Sequence, residues 1–132
     1  CGKNNRLRWR IERMNDPKTR SFGFLEDIHR YIGAADLVVT KPGALSAYET
    51  LGCGVPVLFT SLGCLMPQES GLFNAAHHYD FGFAAKTLRE VESIVGKGPG
   101  EWNRKRESIA QFYQSSSADQ LIERIQPVDV EA

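Results

Sequence analysis

The stretch from Leu37 to Glu49, LVVTKPGALSAYE, concentrates groups that could do chemistry at a spacing that could use them. A β-branched run ends at Thr40, Lys41-Pro42-Gly43 makes a tight turn, and Ala44-Leu45-Ser46 begin a helical stretch. The amides of Gly43, Ala44, Leu45 and Ser46 would then project from a helix N-terminus, where the helix dipole favours an anion by up to ~2 kcal/mol. Gly43 lets a ligand approach the backbone, Ser46 adds a hydroxyl donor, and Lys41 adds a positive charge. A phosphate suits that set. Glu49, one and a half turns into the helix, would repel a phosphate, but a carboxylate can accept two hydrogen bonds from a vicinal diol at about 1.5–3 kcal/mol each. Phosphate beside a diol points to a nucleotide and its ribose. The plain alternative is a strand-to-helix turn with Glu49 as a solvated helix residue, and spacing alone does not separate the two.

Other reactive residues carry less. His77 and His78 are adjacent, so on a helix they point to different faces and read as a core-and-surface pair, not as a metal site. His29 lies among Glu26, Asp27 and Arg30 with no nucleophile near it in sequence. Cys53, between Gly52 and Gly54, reads as a small buried residue because no neighbouring base would lower its pKa. Lys97-Gly98-Pro99-Gly100 has no strand before it and no Lys-Ser/Thr after it, so it reads as a linker and not a phosphate loop.

The elements that must position Lys41 to Glu49 follow from periodicity. Strands are expected at Thr19–Phe24, Asp36–Thr40, Val55–Thr60 and Phe81–Ala85. Between the first two, Ile28, Tyr31, Ile32 and Ala35 recur at helical spacing. Between the next two, Ala44, Ala47, Tyr48 and Leu51 do so, with Gly52 and Gly54 ending the helix before Pro56. Further helices are expected near Leu72–Tyr79, Leu88–Val95, Trp102–Tyr113 and Asp119–Ile125, with a Gly-rich break at Gly96–Gly100. This alternation predicts an α/β fold: a Rossmann-like open parallel sheet with helices on both faces, whose ligands lie beyond the carboxyl ends of the strands.

The 132 residues, 42% apolar and 24% charged, suit one domain over 1–132 with a single core. Sixteen basic residues balance sixteen acidic ones, which gives no reason to expect a nucleic-acid partner or a disordered tail. The balance hides an asymmetry, since residues 1–20 carry seven basic groups against Glu12 and Asp16, a net +5. Arg6, Arg10 and Arg13 share a face if that segment is helical, and such a face suits anionic lipid or phosphate as well as plain solvent. No apolar run approaches the roughly 20 residues needed to span a bilayer. Three cysteines without metal-ligand spacing read as reduced thiols, hence a cytoplasmic setting. A start at Cys1 without Met or a leading strand reads as a fragment of something longer.

Several words of the sequence resemble the C-terminal half of family 28 glycosyltransferases. They are Gly23-Phe24-Leu25-Glu26-Asp27, Ala35 through Gly43 and on to Glu49, Gly54-Val55-Pro56, and Pro67-Gln68-Glu69 with Asn74. That family includes the UDP-N-acetylglucosamine transferase of lipid II synthesis, monogalactosyldiacylglycerol synthases and processive diacylglycerol glucosyltransferases. The resemblance implies the C-terminal half of a GT-B fold, holding a UDP-sugar as donor substrate with no metal or other cofactor. By the same resemblance, Leu25 reads the uracil edge with Phe24 packed below. Gly43, Ala44 and Leu45 meet the diphosphate, and Glu49 takes both ribose hydroxyls. Gln68 and Glu69 take the donor hexose, and Asn74 opens the helix behind it.

Pro42 stands where the lipid II enzyme resembles a Ser, which favours the glycolipid branch together with Lys41. The stretch Ser61–Met66 is longer and more apolar than the family's. The resemblance implies an inverting hexosyl transfer to a lipid acceptor at the inner face of a membrane. The catalytic base would belong to an N-terminal half absent from this sequence, so no catalytic residue is assigned. C-terminal helices over 101–126 would pack on that half and leave Trp102, Phe112, Tyr113 and Leu121 partly uncovered. Two alternatives stand beside this reading: a non-catalytic nucleotide-sugar-binding subunit that needs a partner chain, as in the two-chain dolichol-linked GlcNAc transferase, and half of a UDP-sugar 2-epimerase.

Overall fold

A computed structural model describes residues 1–62 and 66–115. The chain divides into two compact units, one comprising Cys1–Tyr31 and the other beginning at Ile32. In the first, α1 (Asn5–Glu12) starts at Asn4, whose side-chain oxygen accepts from the Leu7 amide at 2.9 Å. Asp16 then organises a turn, accepting from the Lys18 amide at 3.1 Å and the Thr19 hydroxyl at 2.5 Å.

The expected strand at Thr19–Phe24 does not form. From Ser21 to Ile28, half-buried and exposed residues alternate as they do in an extended chain, so the period-2 reading of the side chains holds. A strand also needs a ladder partner, and this unit has no other extended segment among its described residues to supply one. The junction between the units falls within α2 (Ile28–Gly33), where Ile32 is buried while Ile28 and Tyr31 are exposed.

The second unit is built on β1 (Val38–Thr40), β2 (Val57–Thr60) and β3 (Gly82–Ala85). They form a parallel sheet in the order β1-β2-β3, with Val38 opposite Val57 and Val57 opposite Gly82. Parallel neighbours need crossover connections, and the chain supplies α3 (Ala44–Gly52) and α4 (Pro67–His78) between the strands. After β3 come α5 (Leu88–Gly96) and α6 (Pro99–Ser115).

Alternate residues of β2 enter two different cores. Val57 and Phe59 pack with Ala47 and Leu51 of α3, Phe73 and Ala76 of α4, and Ile109 of α6. Leu58 packs on the other side with Phe83 and Ala85 of β3, Val91 and Ile94 of α5, and Trp102. A central strand buried on both faces reads as a continuous apolar run, as Val55–Phe59 does. The fold is therefore the expected Rossmann-like α/β arrangement, an open parallel sheet covered on both faces.

Two close approaches fix the sheet's surroundings. A Cβ added at Gly82 would lie 2.4 Å from the Val57 carbonyl oxygen, so glycine is required by packing there. The Arg106 guanidinium reaches back to the carbonyls of Gly54 and Ala35, each at 3.0 Å. Trp102 is half-buried and donates from its indole N–H to the Ile94 carbonyl at 3.1 Å.

Several boundaries move for identifiable reasons. α4 begins at Pro67, five residues before the expected start at Leu72, because a proline at the first helical turn loses no needed hydrogen bond and Gly71 sits inside the helix without ending it. α6 likewise begins at Pro99, and the break before it is made by Gly98 at φ +77°. His77 and His78 are both exposed, not split between core and surface, because α4 buries Phe73 and Ala76 and its last turn clears the sheet. The expected helix Asp119–Ile125, Leu121 and Cys64 lie outside the described residues.

Candidate functional site

The carboxyl ends of the three strands are tied together. The Thr60 hydroxyl donates to the Thr40 carbonyl at 3.4 Å, and the Ser61 amide donates to the Ala85 carbonyl at 2.9 Å. A helix follows each strand, so three N-termini gather at this end of the sheet, and they differ in how their orphan amides and dipoles are compensated. At α5, Thr87 accepts from the Glu90 amide at 3.3 Å, and Glu90 accepts in return from the amides of Lys86 and Thr87. At α4, Pro67 removes one donor, and Glu69 accepts from the Met66 amide at 3.3 Å.

α3 has neither device. Its N-cap is Gly43, which has no side chain to offer, and its first turn contains no acidic residue. Among the three helices that follow strands in the described residues, α3 alone presents an uncompensated N-terminus. Gly43 is extended at φ −87°, ψ 136°, a conformation open to any residue, and a Cβ there would meet nothing within 4 Å. Neither backbone geometry nor the protein's own packing accounts for this glycine.

The side chains around that terminus are set by the way α3 lies on the sheet. Ala47, Thr50 and Leu51 form its buried face at i, i+3, i+4, and Thr50 tolerates complete burial because its hydroxyl donates to the Ser46 carbonyl at 2.7 Å. This buried face rotates Ala44, Leu45, Ser46, Tyr48 and Glu49 outward, and Leu45 is 73% exposed. Tyr48, which apolar periodicity assigns to the core side, is thus a site-flanking residue that sequence reasoning missed. The buried Thr50 was the available signal. Pro42 is fully buried and anchors the turn from below.

Lys41 ends 3.5 Å from Glu69. The pair joins the turn after β1 to the start of α4, and only the Glu69 side chain is substantially sheltered. Gln68 lies in the same first turn of α4. The second unit thereby brings Lys41, Gly43, Ala44, Leu45 and Ser46 together with Glu69, and carries Glu49 on the exposed side of α3.

Asn74 is a correction. It lies well inside α4 on an exposed position and does not open that helix, because the helix starts at Pro67.

Phe24 and Leu25 belong to the first unit. There they line an open hollow of about 620 Å³ with Phe22, Ile28 and Tyr31. The Phe22 and Tyr31 rings meet at a tilt, 5.1 Å between centroids and 59° between planes. Phe24 is 69% exposed.

Residues 1–63 match the family model described as Glycosyltransferase family 28 C-terminal domain. The chain is 34% identical to a processive diacylglycerol beta-glucosyltransferase of Bacillus licheniformis over 131 residues, covering 92% of this chain and 33% of that protein. It is 34% identical to the protein of the same name from Bacillus subtilis, covering 95% of this chain and 34% of that one. It is 24% identical to the chloroplastic monogalactosyldiacylglycerol synthase 1 of Arabidopsis thaliana, covering 84% of this chain and 21% of the plant protein. The chain spans about a third of the length of the two Bacillus relatives.

Proposed function

Because the chain is related to the C-terminal domain of glycosyltransferase family 28, we propose that it is the donor-binding part of an enzyme that transfers a hexose from a UDP-sugar to a lipid acceptor. The observation that carries this reading is the uncompensated N-terminus of α3, with Gly43 left open in front of it and Lys41 beside it. A diphosphate supplies the negative charge which that terminus lacks. Glu49, held outward on the same helix, accepts from the two ribose hydroxyls. Gln68 and Glu69, in the first turn of α4, take the hexose.

The reaction is a single displacement at the anomeric carbon. The acceptor oxygen forms a bond to that carbon as the bond to the UDP oxygen breaks, and the configuration inverts. The acceptor's proton passes to a base on the portion of the enzyme outside this chain. What this chain contributes is stabilisation of the departing UDP, because charge developing on the diphosphate meets fixed amide dipoles and the Lys41 ammonium. The relatives' names, a beta-glucosyltransferase acting on diacylglycerol and a monogalactosyldiacylglycerol synthase, support a glycolipid product. The reaction would take place at the cytoplasmic face of a membrane. No helix among the described residues is long and apolar enough to cross one.

Titration of the isotopically labelled chain with UDP tests the assignment. Amide shifts should concentrate at Gly43–Ser46, and Glu49→Ala should weaken binding by roughly a hundredfold or more, the loss of its charge-assisted bonds to the two ribose hydroxyls. A folded chain whose Gly43–Glu49 amides ignore UDP would remove the donor site from this helix.

A further inference from the structure

We propose that Arg106 is a positioning residue for the turn Lys41-Pro42-Gly43, acting through α3. β1, that turn and α3 form one arm, with the turn at its tip and the segments before β1 and after α3 at its base. The Arg106 guanidinium ties the two sides of the base together. One of its terminal nitrogens donates to the Gly54 carbonyl, just past α3, and the other to the Ala35 carbonyl, just ahead of β1, each at 3.0 Å.

Both acceptors suit a guanidinium. Gly54 follows the C-cap of α3 at φ +69°, in the left-handed region that turns the chain off a helix and that glycine adopts without strain. A cation there complements the negative end of the α3 dipole, the end opposite the uncompensated N-terminus. Ala35 lies two residues beyond α2, so the same charge also meets the carboxyl end of that helix. Arg106 is half-buried and in no ion pair among the described residues, so its bonds go to backbone. A planar fork holds two carbonyls at a fixed separation, which a single ammonium on a flexible stem does not.

α3 is nine residues, roughly 13 Å, of rigid rod between that base and the Gly43–Ser46 amides. Burial of Ala47, Thr50 and Leu51 keeps the rod on the sheet, but apolar contact is non-directional and sets axial position less sharply than a hydrogen bond. A slip at the base is therefore carried to the tip. Amides aimed at one anion tolerate little of it, since a misplacement of about 1 Å can cost up to about 100-fold.

α6 has a second hold on the sheet, made by Lys105 and Ser108 on Asp80, between α4 and β3. That hold does not flank the arm, and so it separates a loosened α6 from a displaced turn. The effect on UDP rests on the donor-site reading, whereas the effect on the unliganded Gly43–Ser46 amides does not.

The test compares Arg106→Lys, which keeps the charge but not the fork, with Lys105→Met in the whole chain. Both should lower the urea midpoint. Only Arg106→Lys should move the Gly43–Ser46 amide resonances of the unliganded chain, and only it should weaken UDP binding, by about fivefold or more. If Arg106→Lys fails to fold, the unaltered chain supplies the reading, because linkage is reciprocal: saturating UDP should slow hydrogen exchange at the Arg106 guanidinium by a like factor. Unmoved Gly43–Ser46 amides in folded Arg106→Lys, equal effects in the two variants, or guanidinium exchange indifferent to bound UDP would each overturn the proposal. An unaltered chain that ignores UDP while Arg106→Lys shifts those amides would instead remove the donor reading and leave Arg106 as the residue that positions the turn.

Discussion

Lys41 and Glu69 meet at 3.5 Å across the carboxyl end of the sheet, the first leaving β1 and the second entering α4. The Lys41 side chain is 76% exposed and the Glu69 side chain 13%, so the two are not equal partners. Glu69 is held by the backbone it caps, while Lys41 is free to exchange its carboxylate for a phosphate. On the proposed donor-site reading, the pair is the arrangement that precedes UDP binding.

Lys41→Met should therefore leave thermal stability almost unchanged, since an exposed pair contributes about 0–1 kcal/mol. Its effect should be on UDP affinity, a loss of about tenfold or more from one charge-assisted contact. Glu69→Gln should do the reverse, costing about 0.5–1 kcal/mol through the start of α4 with a smaller effect on UDP itself. Calorimetric melting and UDP titration of the two variants, read side by side, check the division.

Two glycines give opposite expectations for the same substitution. Gly82→Ala pushes a methyl group against the Val57 carbonyl oxygen and should destabilise the chain by about 1–3 kcal/mol. Gly43→Ala meets no protein atom within 4 Å and adopts an ordinary extended conformation, so stability should stay within about 0.5 kcal/mol while UDP binding falls. Urea denaturation and ligand titration on both variants separate a glycine kept for packing from one kept for a ligand.

The Lys105 ammonium bonded to Asp80 holds the carboxyl below its ordinary value, helped by the Ser108 hydroxyl and opposed by partial burial. A depressed folded-state pKa contributes stability that is fully present above the unfolded value, near 3.9, and is lost as pH falls through the folded value. Asp80→Asn should accordingly lower the urea midpoint modestly at neutral pH and leave it less dependent on pH below about 4. The effect should stay under about 1 kcal/mol because Asp80 is largely exposed.

Phe59 is fully buried between β1 and β3 on the face covered by α3 and α4, so Phe59→Ala should cost about 3–5 kcal/mol. In a domain of ordinary stability that is enough to populate unfolded chain at room temperature. Val39→Thr on the edge strand, where Val39 is 50% exposed, should change stability by less than about 0.5 kcal/mol.

The sheet was legible because its strands are short apolar runs between glycines and prolines, and β2, β3 and α3 fall within two residues of their expected bounds. What periodicity misjudged has a common source, which is that apolarity predicts burial only where some element lies behind the residue. Tyr48 faces outward because Thr50 can be buried with its hydroxyl satisfied. The strand expected at Thr19–Phe24 does not form because that extended segment has no ladder partner among the described residues of its unit. The turn of α3 was visible as a phosphate-type N-terminus, but not the contrast with α4 and α5. That contrast depends on where Glu69 and Glu90 place their carboxylates.

The Arg106 bonds to Ala35 and Gly54 bear on how the second unit comes together as it is made. Its strands stand side by side in the order in which they are synthesised, so each can dock on its predecessor as it emerges. The guanidinium, by contrast, closes on a carbonyl 71 residues earlier in the chain. That contact becomes available only after all three strands have been made, and it fastens α6 back to the segments just before β1 and β2. A nascent chain halted with β3 clear of the ribosome and Arg106 still inside the exit tunnel would display a sheet already paired but not yet latched.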